Sequence, residues 1–98
     1  MRGREQLGHY FFHLRYDGGL LIDEEGRRYA TLDDVIAASF LDARSIMAED
    51  VKKGELNLDQ CLDVSDTNSV LVHRLNFVDA LTVHYGSGSV HDGTCTNI

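Results

Sequence analysis

Proline and tryptophan are both absent from this chain of 98 residues, and neither absence selects a function. Cysteine is scarce, with Cys61 and Cys95 alone. Two thiols without a secretory leader do not make a disulfide framework, so a reducing, cytoplasmic setting is expected. The opening MRGREQLGHYFFHLRY holds no long apolar run, so no signal peptide is expected. No stretch approaches the ~18 apolar residues a membrane span needs, so no membrane partner is expected either. Positive charge is also short, with 9 Lys and Arg against 16 Asp and Glu and a net charge of −7. The dense basic spots are Arg2 with Arg4 and Arg27 with Arg28. That is too little for the counterion-displacing face of a general nucleic-acid binder. The negative balance favours solubility and repels polyanions.

What is present suits one small domain. A chain of this length buries roughly 60–65% of its unfolded surface, and its 43% hydrophobic content suffices for a modest core. Residues 1–8 read as a frayed N-terminus, 9–85 as a single α+β domain and 86–98, GSGSVHDGTCTNI, as a flexible tail. His9–Tyr16 alternates as a strand, with Tyr10, Phe12, Leu14 and Tyr16 on the core face and His9, Phe11, His13 and Arg15 on the other. Asp17–Gly18 signals a tight hairpin. Leu20–Ile22 returns, and Arg27–Ala30 reads as a short third strand or an extended connection.

The clearest element is a helix over about 32–53, some 33 Å long. Thr31 can cap it, Asp33 and Asp34 suit its positive end, and Gly54 suits its exit. Leu32, Ile36, Phe40, Ala43, Met47 and Val51 form one apolar stripe, flanked by Val35 and Ile46. Phe40 is its largest member, and its removal is expected to cost ~3 kcal/mol or more. Leu41 falls among the polar positions and is the one candidate interaction residue. After the helix, Leu56–Val64 and Ser69–Leu75 read as strands, and Asn76–Tyr85 as a continuation or a further strand. The order β-β-(β)-α-β-β implies an antiparallel sheet with one long helix packed on one face.

No constellation in this sequence carries a recognised chemistry. His9 and His13 lie on a strand, where positions four apart are ~13 Å apart and cannot share a metal. His73, His84 and His91 have no companion ligands at metal spacing. Cys61 reads as a small strand residue, and a redox role requires a lowered pKa. Asp23–Glu24–Glu25 lacks the calcium-loop pattern. Gly86, Gly88 and Gly93 do not complete a dinucleotide fingerprint. No catalytic residue, cofactor or metal is therefore assigned.

Some segments are nonetheless familiar: Y-F-F-H-L at 10–14, D-E-E-G at 23–26 and F-V-D-A-L at 77–81. With the Asp17–Gly18 turn, the acid-capped helix and Gly54, they resemble a family of small alphaproteobacterial proteins carrying a domain of unknown function. The similarity spans about residues 9–83. Asn76 stands where that family usually has proline, and Leu58–Gln60 lacks its usual tryptophan. The resemblance implies the fold and no activity. The expected function is a non-catalytic interaction module, binding a protein partner or a second copy of itself. An antitoxin-like regulatory module is one alternative. A small-molecule-binding domain or small enzyme is another, and a pocket lined by His13 or His73 would favour it.

Overall fold

The computed structural model describes residues 7–84. The expected tail at 86–98, with Cys95 and His91, lies outside the described residues, as does most of the expected frayed start. The elements are β1 (Gly8–Tyr16), β2 (Gly19–Leu21), β3 (Arg27–Tyr29), α1 (Leu32–Lys52), β4 (Cys61–Ser65), β5 (Leu71–Asn76) and a 3₁₀ turn at Phe77–Asp79. The α+β class and the single helix agree with the sequence reading. No helix among the described residues is long and apolar enough to cross a membrane.

β1 organises the sheet. Its alternating aromatics form a nine-residue strand, and every pairing in the sheet is antiparallel. One side of β1 pairs with β4, which pairs in turn with β5. The other side is shared: β2 takes Leu14–Tyr16 and β3 takes Gly8–Tyr10. The short extended stretch at 27–29 is thus a true strand, and β1 starts one residue before the sequence reading put it. Gly18 at φ +98° makes the tight β1–β2 turn.

Between those two pairings the backbone of β1 lacks a strand partner, and Asp23 fills the gap. Its carboxylate accepts the N–H groups of Phe12 (3.0 Å), Glu25 (3.1 Å) and Gly26 (3.1 Å). The D-E-E-G segment is therefore a clip that fastens the β2–β3 loop to the sheet. Gly26, at φ +68°, allows the loop to close.

The helix begins and ends as its sequence dictates. Thr31 Oγ1 accepts the Asp34 N–H. At the other end Gly54 donates to Val51 and Glu55 donates to Asp50, a Schellman exit with Gly54 in the left-handed region. The buried side differs from the expected stripe. Val35, Ala38, Ser39, Ala43 and Met47 are buried, Ile36 and Phe40 only half-buried, and Leu32 and Val51 exposed. The cause is a core in two parts. Val35 and Ala38 pack with Phe12 and Val64, against Tyr10, Tyr29 and Val72. Ala43 and Met47 pack with Leu62, Leu75, Phe77 and Ala80. β3 brings Tyr29 beside the first half of the helix, so the buried side there turns toward Val35. Leu32 and Val51, at the helix ends, belong to neither cluster.

Two strand expectations are corrected. Leu56–Gln60 is a loop, because Asn57 folds it locally: its Oδ1 accepts the Asp59 N–H and its carbonyl accepts from Gln60 Nε2. Of the expected continuation Asn76–Tyr85 only Asn76 belongs to β5, and residues 77–84 form no strand. Phe77 donates its N–H to Gln60 O and turns inward to complete burial, and Ala80 donates to Phe77 O.

Candidate functional site

Strand alternation sorts the sheet into two faces. Phe12, Leu62, Val64 and Leu75 meet the helix. Their neighbours of opposite parity face away from it: His9, Phe11, His13 and Arg15 on β1, Cys61, Asp63 and Ser65 on β4, and Arg74 and Asn76 on β5. No helix or strand among the described residues covers this second face; the Asp23–Gly26 loop touches it only at the end formed by His9, Phe11 and His13.

Asp63 lies at its centre. Its side chain is 8% exposed, although it belongs to the uncovered face. Two arginines cover it. Arg74 donates from Nε to Oδ1 (2.6 Å) and from Nη2 to Oδ2 (3.0 Å), and Arg15 donates from Nε to Oδ2 (3.1 Å). The Arg74 hydrogen bonds, helped by Arg15, outweigh burial and hold the Asp63 carboxyl below the ordinary aspartate value. Cys61 Sγ donates to the same carboxylate at 3.7 Å. Burial, and then the Asp63 charge, push its thiol pKa up. This cysteine is thus a protonated packing residue and a poor nucleophile.

His9 and His13 are engaged in structure. Phe11 stacks between His9 and His13, with ring centroids at 4.7 and 6.5 Å. His9 Nε2 donates to Glu25 O. The Asp23 N–H donates to His13 Nδ1, so Nε2 carries the ring proton and donates to Ser65 Oγ. His73 lies opposite Val64 on the helix side, and its Nε2 is buried with no hydrogen-bond partner among the described residues. Neither His13 nor His73 lines any of three clefts among the described residues. One, about 360 Å³, runs past Arg15, Cys61 and Asn76; a second, about 480 Å³, lies between the β2–β3 loop and Ile46 of the helix; a third, about 450 Å³, is lined by Val51 and Leu56. Among the described residues no three His, Cys, Asp or Glu side chains converge as metal ligands.

The two edges of the sheet differ. On the β1 side the edge consists of β2 and β3, three residues each, with the Asp23 clip between them. On the other side stands β5, six residues long. The Phe77 N–H reaches Gln60 O in the same register as the β4–β5 pairs. Backbone groups of Leu75 and His73 therefore face β4, and those of Arg74 and Asn76 face outward. No strand among the described residues pairs with that outer side. Val70, Leu71 and Val78 are exposed around it.

Leu41, the residue singled out from sequence, is 65% exposed, on the helix side away from both core clusters. Sequence reasoning missed Asp63, Arg15 and Arg74 as a unit. The available signal was an acid inside an apolar strand, but only the register brings the two arginines to it. Residues 9–78 match the family described as a domain of unknown function (DUF6894). No curated protein and no solved structure matches the chain.

Proposed function

The chain belongs to the DUF6894 family, and on that premise we propose that it is a non-catalytic interaction module that self-associates by pairing β5 with β5 of a second copy. The difference between the sheet edges carries the reading. An edge strand is a template for pairing unless it is short, interrupted or charged. The β2–β3 edge is both short and interrupted. The β5 edge is longer: a bulge at Val72 shifts its register near the start, but residues 73–76 run unbroken, and the Arg74 charge on it is held across the sheet by Asp63. Antiparallel pairing of β5 with its own copy is two-fold symmetric and closes at a dimer, the commonest soluble assembly. The exposed Val70, Leu71 and Val78 flank that contact. Leu41 is a weaker candidate, because a single exposed leucine does not make a patch. The engagement of His9 and His13 and the protonated Cys61 support a non-catalytic reading. The reading puts the module in a bacterial cytoplasm, which the free, buried thiol of Cys61 supports.

The test is light scattering on the full chain over a wide concentration range, with circular dichroism to follow the fold. Asn76 has φ −79° and ψ 135°, values that proline accepts, and its N–H faces outward. The wild type is expected to be a dimer. Asn76→Pro combined with Leu71→Lys is expected to be a folded monomer, and Leu41→Asp to remain a dimer. A wild type that stays monomeric at every concentration overturns the proposal. Dissociation by Leu41→Asp alone moves the interface to the helix and overturns it as well.

A further inference from the structure

We infer that Arg15 and Arg74 together form a binding site for an oxyanion, a carboxylate or a phosphate, on the uncovered face of the sheet. Arg74 contributes its backbone to the proposed β5 contact and its side chain to this site on the sheet face, so the site does not require the contact to form. Arg15 uses Nε alone on Asp63, leaving Nη1 and Nη2 free of partners among the described residues. Arg74 uses Nε and Nη2, leaving Nη1 free in the same sense. The two side chains are 51% and 47% exposed, whereas the carboxylate beneath them is almost fully buried. Asp63 therefore acts as an anchor. It fixes both guanidinium planes from below, so that the ordering cost of two long side chains is already met before a ligand arrives.

Charge points the same way. Two guanidinium groups over one carboxylate leave a surplus of one positive charge, within a chain whose net charge is −7. A single oxyanion neutralises that surplus, and its paired oxygens match the N–H geometry of the guanidinium group. His13 adds no competing charge acceptor, since both its ring nitrogens are occupied by Asp23 and Ser65. Asp17 and Asp59 line the cleft at one end of Arg15. They disfavour an anion within that cleft and direct it over the face between Arg15 and Arg74.

The experiment is a titration of the ¹⁵N-labelled full chain with inorganic phosphate and, separately, with acetate. Ionic strength is held constant with chloride, and the arginine Nε–Hε signals are followed. Saturable shifts of the Arg15 and Arg74 signals are expected in the millimolar range. A saturable response to phosphate alone or to acetate alone supports the site and identifies which oxyanion it takes. Arg15→Gln leaves Arg74 bidentate on Asp63 and so keeps the fold. It is expected to weaken binding by at least about tenfold, the effect of losing a charge-assisted hydrogen bond. Arg28→Gln, on the exposed β3, is expected to change nothing. Shifts that stay linear with both anions overturn the inference, as does saturable binding that survives Arg15→Gln.

Discussion

Gly26 is constrained twice over. Its φ of +68° is strained for any residue with a side chain, and a Cβ there would meet Tyr10 O at 2.7 Å and Phe11 Cδ2 at 2.8 Å. The carbonyl belongs to β1 and cannot yield without breaking the β3 pairing. Gly54 provides the control, because at φ +94° an added Cβ would meet nothing within 4 Å. Gly54→Ala is expected to cost about 1 kcal/mol from backbone strain alone. Gly26→Ala adds the clash, so its cost is expected to exceed ~2 kcal/mol. Urea midpoints of the two variants check the order, and equal losses would mean that the loop relaxes freely. The sequence marked D-E-E-G only as a turn. That Asp23 reaches back to Phe12 became visible once β2 and β3 were seen to leave that N–H unpaired.

At the scale of elements, the helix shows how a correct boundary can coexist with an incomplete buried face. Thr31, Asp33, Asp34 and Gly54 act locally, so they were legible along the chain. Which flank is buried depends on what lies beneath, and Tyr29 and Phe77 come from distant segments. The consequence for stability is a change of hot spot. Phe40 is half-buried with the Arg44 guanidinium 5.5 Å from its ring centre, whereas Phe77 is fully buried. Phe77→Ala is expected to cost about 3–5 kcal/mol, and Phe40→Ala, for which the stripe alone implies ~3 kcal/mol or more, about half the Phe77 loss or less. Thermal or urea unfolding of both variants decides the matter. A larger loss at Phe40 would show that the stripe is the better guide and that the turn after β5 contributes little.

For the whole molecule, the carboxylates of buried Asp63 and half-buried Asp23 set the response to acid. Asp63 has a lowered pKa through Arg74 and then Arg15, against the cost of burial. At Asp23 burial by itself raises the pKa, but the N–H groups of Phe12, Gly26 and Glu25, with Arg27, together outweigh it and the net shift is downward. A carboxyl whose folded pKa lies below its unfolded value contributes its full stabilisation above the unfolded value, near 3.8 here. That contribution is lost as pH falls through the folded pKa. The urea midpoint of the wild type is therefore expected to fall as pH drops below about 4. Asp63→Asn is expected to be less stable at neutral pH, since two guanidinium groups lose their counter-charge, and to lose less on acidification. Parallel curves for the two proteins would remove Asp63 from the acid response.

Some properties were decided by the sequence alone. Charge balance, the scarcity of cysteine, the alternation in β1, the Asp17–Gly18 turn and both helix ends are local or additive. They need no knowledge of what packs where, and they sufficed for the α+β class and the element order. The face of Asp63 was not of that kind. Alternation along β4 put Asp63 opposite Leu62 and Val64, which reads as solvent. Only the pairing of β4 with β1 and β5 carries Arg15 and Arg74 over it, because register joins residues 11 and 48 positions away in the chain. The contrast between the two sheet edges is likewise tertiary. Whether an N–H faces a partner or open space depends on strand order, and strand order comes from burial of the whole sheet against one helix rather than from any single segment.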